Sequence, residues 1–242
     1  YRDDAQLNID QMMEEMYATT TASKSACPSP DDYMKSFEGA DNIVVVTITG
    51  TLSGSYNSAE IAKKIYLEEH PNAKIHVIDS LSAGGEVDLL VRKLNHLVAE
   101  GLDFDQVLDA ITAYQAKTKL LFVLAKVDNL VKNGRLSKLV GTVVGLLNIR
   151  MVGEASKTGT LELLQKARGQ KKAIKAAFDE LIKAGYTGGH ITIAHRNNDK
   201  FIEQFSALVR EKFAQASIEV LPTSGLCSFY AEEGGLLMGY EI

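Results

Sequence analysis

Little in this chain would staple or metallate it. It carries two cysteines, Cys27 and Cys227, with no C-x-x-C pair and no histidines beside them at zinc spacing, which excludes a zinc knuckle and a disulfide framework. Two free thiols suit a reducing cytoplasm, the expected location. Basic residues are in deficit: 26 Lys and Arg against 31 Asp and Glu leave a net charge of −5, the wrong sign for a phosphate-backbone binder, so no nucleic acid partner is expected. Long apolar runs are missing as well. Even the stretch 143–149 is interrupted by Gly145 and Asn148, and no stable membrane insertion is expected. His70, His76, His96, His190 and His195 form no i,i+4 pair, and no metal site is expected. The chain opens on YRDDAQLNID, without Met, signal peptide or tag-like sequence, which places the expected native beginning upstream.

What is present reads as alternating strands and helices. At 242 residues, 45% of them hydrophobic, the chain can bury a full core, and its length allows one domain or two. NIVVVTI (42–48) is a short β-branched run, as in a strand covered on both faces of a parallel sheet. A helix follows from Ser55, with Ala59, Ala62 and Ile65 at helical spacing, until HPN (70–72) stops it. KIHVIDS (74–80) is the next strand. The segment 86–101 then places Val87, Leu90, Val91, Leu94, Leu97 and Val98 on one helix face, with Gly101 closing it. This β-α-β-α order is the grammar of an α/β layer. Beyond Tyr114 the pattern changes. KLLFVLA (119–125) is strand-like, 133–147 reads as a turn and a small-residue helix, and 148–167 as two strands joined around 157–159. A helix over 170–184, strands at 190–196 and 217–223 around a helix over 199–213, and a closing strand at 234–242 complete the chain. Mixed strands with fewer crossovers predict a second, α+β domain, so the expected division is 1–116 and 117–242.

The first strand–helix junction, ITGTLSGSYNSAEIAKKIY (48–66), is the strongest candidate for chemistry. It puts Thr49, Thr51 and Ser53 at the carboxyl edge of a parallel sheet, where α/β proteins place ligands. The following helix offers unpaired N–H groups and a partial positive charge, while Gly50 and Gly54 let backbone approach closely. The turn therefore suits a carboxylate or phosphate. A second reading stands beside it, in which Ser53 only caps the helix. Familiar motifs fit worse: no lysine follows Gly54 as a P-loop needs, Thr51 and Ser55 occupy the glycine positions of a nucleophile elbow around Ser53, and no third glycine completes a dinucleotide fingerprint. Asp79 and Ser80 point toward the same edge, with helix capping the favoured role. KARGQKK (166–172) is a short basic cluster opening a helix, either a solvated face or a surface for an acidic partner or a phosphoryl group.

Four ordered segments resemble one family, the DegV-family fatty-acid-binding proteins, which include the lipid-carrying subunits of bacterial fatty acid kinase. LSGSYNSA (52–59) is similar to the family's L-S-G-T-Y-x-S-A element, VIDS (77–80) to its second strand end, LVKNGRLSKLVGTVVGLLNIR (130–150) to its G-R-[IV]-S segment, and KARGQKKAI (166–174) to K-x-R-x-x-K-K-A. The resemblance implies a three-layer α/β/α parallel-sheet domain joined to an α+β domain with a mixed sheet. It further implies a non-catalytic carrier that holds a long-chain fatty acid between the domains and presents it to an ATP-binding kinase subunit, with no cofactor. Carried over, the carboxylate would meet Ser53 and Gly54, and the strand-end reading adds Thr49 as a ligand-binding candidate. KSACPSP (24–30) is similar to K-T-S-Q-P-S, with Ser25 at the threonine position and Ala26 and Cys27 departing. YAEEGG (230–235) stands where the family has H-x-G-P-G, so Tyr230 takes the histidine position. Arg168 is implied at the kinase-facing surface. The family also begins with two strands, the first bearing an Asp-Ser motif, and neither precedes Tyr1 here.

Each buried methylene contributes roughly 0.8 kcal/mol, so a chain of about sixteen carbons supplies on the order of 10 kcal/mol before ordering costs. The carboxylate adds orientation, a hydrogen bond to a charged group being worth roughly 1.5–3 kcal/mol. Gly141 and Gly145, with their Val and Leu neighbours, are candidate tunnel walls. Two alternatives to a carrier remain: a binder of a small phosphorylated metabolite in the same cup, and a hydrolase or transferase using Ser53, which no recognisable triad supports.

Overall fold

Two runs of β-branched residues pair in parallel to make a small sheet. In the computed structural model, which describes residues 1–136 and 148–242, β1 (Asn42–Thr47) and β2 (Lys74–Asp79) align Val45 with Val77 and Thr47 with Asp79. Successive side chains point to opposite faces. Ile43, Val45 and Ile75 pack toward Phe37, Ala62 and Tyr66, whereas Val44, Val46 and Ile78 pack toward Leu90, Leu94, Leu97, Val107 and Ile111. The first group of partners lies on α2 (Pro30–Phe37) and α3 (Ser55–Glu69), the second on α4 (Gly85–Ala99) and α5 (Phe104–Gln115). Both faces are covered, which is why the strands read as unbroken apolar runs. The expected α/β/α layering is present.

The buried stripe of α4 differs from the expected one. Leu89, Leu90, Leu94 and Leu97 are buried, but Val91 and Val98 are 40% and 63% exposed. The cause is a second neighbour. A Cβ on Gly85 would lie 2.2 Å from the Thr192 carbonyl oxygen and 2.7 Å from the Gly239 nitrogen, so the start of α4 rests directly on the larger sheet while its later turns pack on the smaller one. A helix wedged between two sheets buries adjacent residues such as Leu89 and Leu90 rather than one narrow stripe.

The larger sheet has the order β5-β4-β3-β8-β6-β7, built from β3 (Thr118–Leu124), β4 (Ile149–Ala155), β5 (Leu161–Arg168), β6 (His190–His195), β7 (Ser217–Pro222) and β8 (Leu236–Glu241). Only β6 and β7 pair in parallel. One face, with Leu121, Val123, Val152, Ile191, Ile193, Met238 and Tyr240, lies under α7 (Gln170–Lys183) and α8 (Asp199–Lys212). The other presents Leu120, Phe122, Leu124, Met151 and Leu237 to Leu130 of α6 (Asp128–Lys132) and Ala231 of α9 (Gly225–Ala231). Most of the small-residue helix expected over 133–147, with Gly141 and Gly145, falls outside the described residues.

The chain start crosses between the sheets. Helix α1 (Ile9–Ala18) is capped by Asn8, whose side chain accepts from the Gln11 N–H. The segment docks on the second lobe: the Asp3 carboxylate accepts from the Gly225 and Leu226 N–H groups at 2.8 Å each, at the start of α9, and Asp10 pairs with Arg196 in the loop after β6. Residues 1–18 thus lie with the second lobe, although the sequence pattern groups them with the first. No helix among the described residues is long and apolar enough to cross a membrane.

Candidate functional site

The strand–helix junction forms a cup whose rim is already partly tied down. The Thr49 carbonyl accepts from the N–H groups of Leu52 and Ser53 at 3.3 and 3.2 Å, winding residues 49–53 into a tight turn. Asp79 holds that turn from the neighbouring strand: its carboxylate accepts the Gly50 N–H at 3.1 Å and the Leu81 N–H at 3.0 Å. This corrects the expectation that Asp79 and Ser80 cap a helix. The N-cap of α4 is Gly84, without a side-chain cap, and the Ser80 hydroxyl bonds instead to Ser82. Parallel pairing of Thr47 with Asp79 puts the carboxylate level with Gly50, and no short-range pattern announces that.

Ser53 stands between its two readings. Its Oγ accepts the Ser55 N–H at 3.2 Å and lies 3.0 Å from the Ser55 hydroxyl. Gly54 itself is the N-cap of α3 and supplies no side chain. One of the four free N–H groups of the helix start is therefore satisfied by Ser53, while those of Tyr56 and Asn57 have no partner among the described residues. Among the described residues neither hydroxyl bonds to a histidine. Tyr33 of α2 packs with Ala62 and Tyr66 of α3 and neighbours Ser55. Burial raises its phenol pKa, opposed by the nearby Ser55 hydroxyl.

Thr49 is buried rather than open to a ligand, at 3% exposure. Its Oγ1 accepts the Thr51 N–H at 3.3 Å and lies under the β4–β5 turn: a Cβ on Gly159 would come within 2.1 Å of it. The Thr51 hydroxyl donates to the Thr158 carbonyl at 2.6 Å. The hairpin of the larger sheet thus reaches across and seats on the cup of the smaller one.

A strap from the chain start completes the junction. Asn133 donates to the Ser23 carbonyl at 3.1 Å, Ser25 Oγ lies 2.8 Å from the Tyr230 hydroxyl, and the Ser58 hydroxyl donates to the Pro28 carbonyl at 2.7 Å. Ser25 and Tyr230, 205 positions apart in sequence, are therefore brought together beside the cup. Cys27 lies on Gly54, its Sγ only 2.9 Å from where a Cβ there would stand. Arg135 spans the remaining gap, donating to the carbonyls of Leu52 at 3.3 Å and Asn133 at 2.7 Å, with its guanidinium carbon 5.6 Å from the centre of the Tyr230 ring. Sequence reasoning had singled out neither Arg135 nor Tyr33. The G-R-[IV]-S segment carried the signal for Arg135. Arg168, by contrast, lies away from this cluster as the exposed last residue of β5, opposite Ile149, rather than within a helix start. α7 begins at Gln170. Among the described residues no group of three metal-ligating side chains forms.

Two lobes of unlike sheet type thus meet, with a hydroxyl-lined cup on one and an apolar sheet face on the other. The chain belongs to the DegV family, whose profile, described as an uncharacterised protein family, matches residues 1–240. It is 77% identical over 240 residues to a DegV domain-containing protein of Streptococcus gordonii, covering 99% of this chain and 85% of that one. Among solved structures, the Streptococcus pneumoniae Fatty Acid Kinase (Fak) B3 protein loaded with linoleic acid is 77% identical, with a TM-score of 0.98 over 99% of this chain and 85% of that one. A DegV family protein from Eubacterium eligens loaded with heptadecanoic acid is 39% identical, with a TM-score of 0.95 over 99% and 87%.

Proposed function

We propose that the chain is a non-catalytic carrier of a long-chain fatty acid, in a cytoplasmic setting, held between a domain of residues 1–116, whose first 18 residues lean on the other lobe, and one of 117–242. The observation that carries it is the meeting of the hydroxyl cup at 49–55 with the Ser25–Tyr230 pair, next to the apolar sheet face of Phe122, Leu124, Met151 and Leu237. Two relatives with that architecture are described as loaded with linoleic and heptadecanoic acids. In this reading the carboxylate lies among Ser53, Gly54, Ser25 and Tyr230, with Thr49 as the buried support beneath them. The tail runs along the half-buried Ile149, Leu161 and Leu163. Denaturing extraction of the purified protein followed by mass spectrometry should release a fatty acid in near-stoichiometric amount. No acyl chain, together with no binding of added oleate or palmitate, would remove the carrier reading and favour a small phosphorylated metabolite in the same cup.

The same proposal gives the carrier a partner, an ATP-binding kinase subunit that forms the acyl phosphate; a relative 77% identical is called the Fatty Acid Kinase (Fak) B3 protein. Arg168 is placed on the docking surface. Next to it, Lys171 and Lys172 occupy the first turn of α7, where no acidic residue stands. Cations there oppose the helix dipole, so helix stability alone would not favour them. Arg168→Ala should leave fatty acid content unchanged and lower kinase-dependent phosphorylation of the bound lipid about tenfold, mainly through slower association. Equal loss of both, with a lower melting temperature, would make Arg168 structural.

A further inference from the structure

A second polar groove lies apart from the cup, at the far end of the larger sheet, where β3 and β6 finish and β4 and β8 begin. It encloses about 680 Å³ among Lys126, Asn148, Arg150, Gln170, Asn198 and Lys200, with Gly234 in its wall. Its central cation is Arg150 of β4, whose guanidinium lies against Gly234: a Cβ there would stand 3.3 Å from one terminal nitrogen. The side chain is half-buried, and no carboxylate lies within ion-pair distance among the described residues. Segment 137–147 contains no Asp or Glu that might supply one. Of the two carboxylates that line the groove, Glu233 pairs with Arg196 at 3.6 Å and Asp199 is turned to solvent, 92% exposed, leaving Lys126, Arg150 and Lys200 in excess over them. Burial pulls the Arg150 pKa down with nothing opposing it. A guanidinium removed from water without a counter-charge is costly, and an anion entering the groove would relieve that cost.

We propose that this groove binds a phosphate group through Arg150. The donor set selects phosphate over carboxylate. Beside the planar fork of Arg150 stand two lysines and the side-chain amides of Asn148, Gln170 and Asn198, more donors than two carboxylate oxygens accept and suited to three phosphate oxygens. Asn198, the N-cap of α8, makes no side-chain cap bond. Its amide instead donates to the Gly234 carbonyl at 2.7 Å, which fixes the groove wall. A groove of this size takes a small phosphorylated molecule as readily as the free ion. This inference is independent of the fatty acid reading.

The full chain should be titrated calorimetrically with inorganic phosphate and with phenyl phosphate at constant ionic strength, with melting temperatures followed in parallel. Saturable binding is expected, with a rise in melting temperature that chloride does not reproduce. Arg150→Gln should fold as the parent does, since the guanidinium makes no ion pair, and should bind phosphate at least about tenfold more weakly while keeping its fatty acid. Arg150→Lys, which keeps the charge and loses the fork, should fall between. Tighter binding of phenyl phosphate assigns the rest of the groove to an organic ester, and equal binding assigns free phosphate. Absence of saturable binding, an equal response to chloride, or undiminished binding by both variants would overturn the assignment.

Discussion

Gly159→Ala is expected to weaken fatty acid binding roughly fivefold to a hundredfold, the equivalent of the 1–3 kcal/mol that overpacking typically costs. Gly159 has φ +76°, and an added methyl would lie 2.1 Å from Thr49 Oγ1 and 2.9 Å from Thr49 Cβ. Thr49 cannot move aside, because it is buried and its N–H donates to the Ser82 carbonyl at 2.8 Å. The hairpin turn must therefore lift from the cup and break the Thr51–Thr158 bond. Part of any loss would be the ordinary strain of alanine at positive φ, and Gly39→Ala measures it: Gly39 has φ +80° with nothing within 4 Å. Isothermal titration and thermal melting of both variants separate contact from conformation. Equal destabilisation with unchanged affinity in both would show that the hairpin takes no part in closing the site.

The parts of this molecule legible in the sequence are those governed by local periodicity. The strands of the small sheet are covered on both faces, and so are unbroken apolar runs. The helix after Ser55 announces itself by a turn rich in glycine and hydroxyls. The buried face of α4 was misjudged because its burial is set by two sheets, and the contact of Gly85 with Gly239 joins residues 154 positions apart. Asp79 was misassigned for a similar reason. A carboxylate after a strand looks the same whether it caps the next helix or clamps a turn one strand away, and only the parallel register decides. Tyr230 and Ser25 were placed by family resemblance, and their hydrogen bond has no short-range signature. Glu232 shows a local rule overridden: it takes φ +54° in a segment ending in Gly-Gly, and its buried carboxylate accepts the Asn129 N–H at 3.1 Å. That bond helps to hold the end of α9, and hence Tyr230, in place.

Removing the head-group hydroxyls should change acid-to-ester selectivity more than stability. If Ser53 donates to the bound carboxylate, Ser53→Ala should cost the free acid about 1.5–3 kcal/mol of affinity and the methyl ester much less, since the ester carries no charge to assist the bond. If its acceptor role toward the Ser55 N–H is all it does, the same change should cost about 1 kcal/mol of stability and leave the acid-to-ester ratio alone. The observed 3.2 Å bond permits both, because a hydroxyl can accept from Ser55 and donate to a ligand at once. Ser25 and Tyr230 provide the sharper comparison. Either atom of their 2.8 Å contact can be the donor, so one hydroxyl is free to turn its proton toward the carboxylate while accepting from the other. In that arrangement Ser25→Ala and Tyr230→Phe each disrupt the same relay, and the double variant should lose little more acid affinity than the worse single one, a coupling of about 1 kcal/mol or more. Additive losses would mean two independent contacts with the ligand. An unchanged acid preference in all three single variants would move the carboxylate off these hydroxyls and onto Arg135, whose guanidinium lies over the same tyrosine ring.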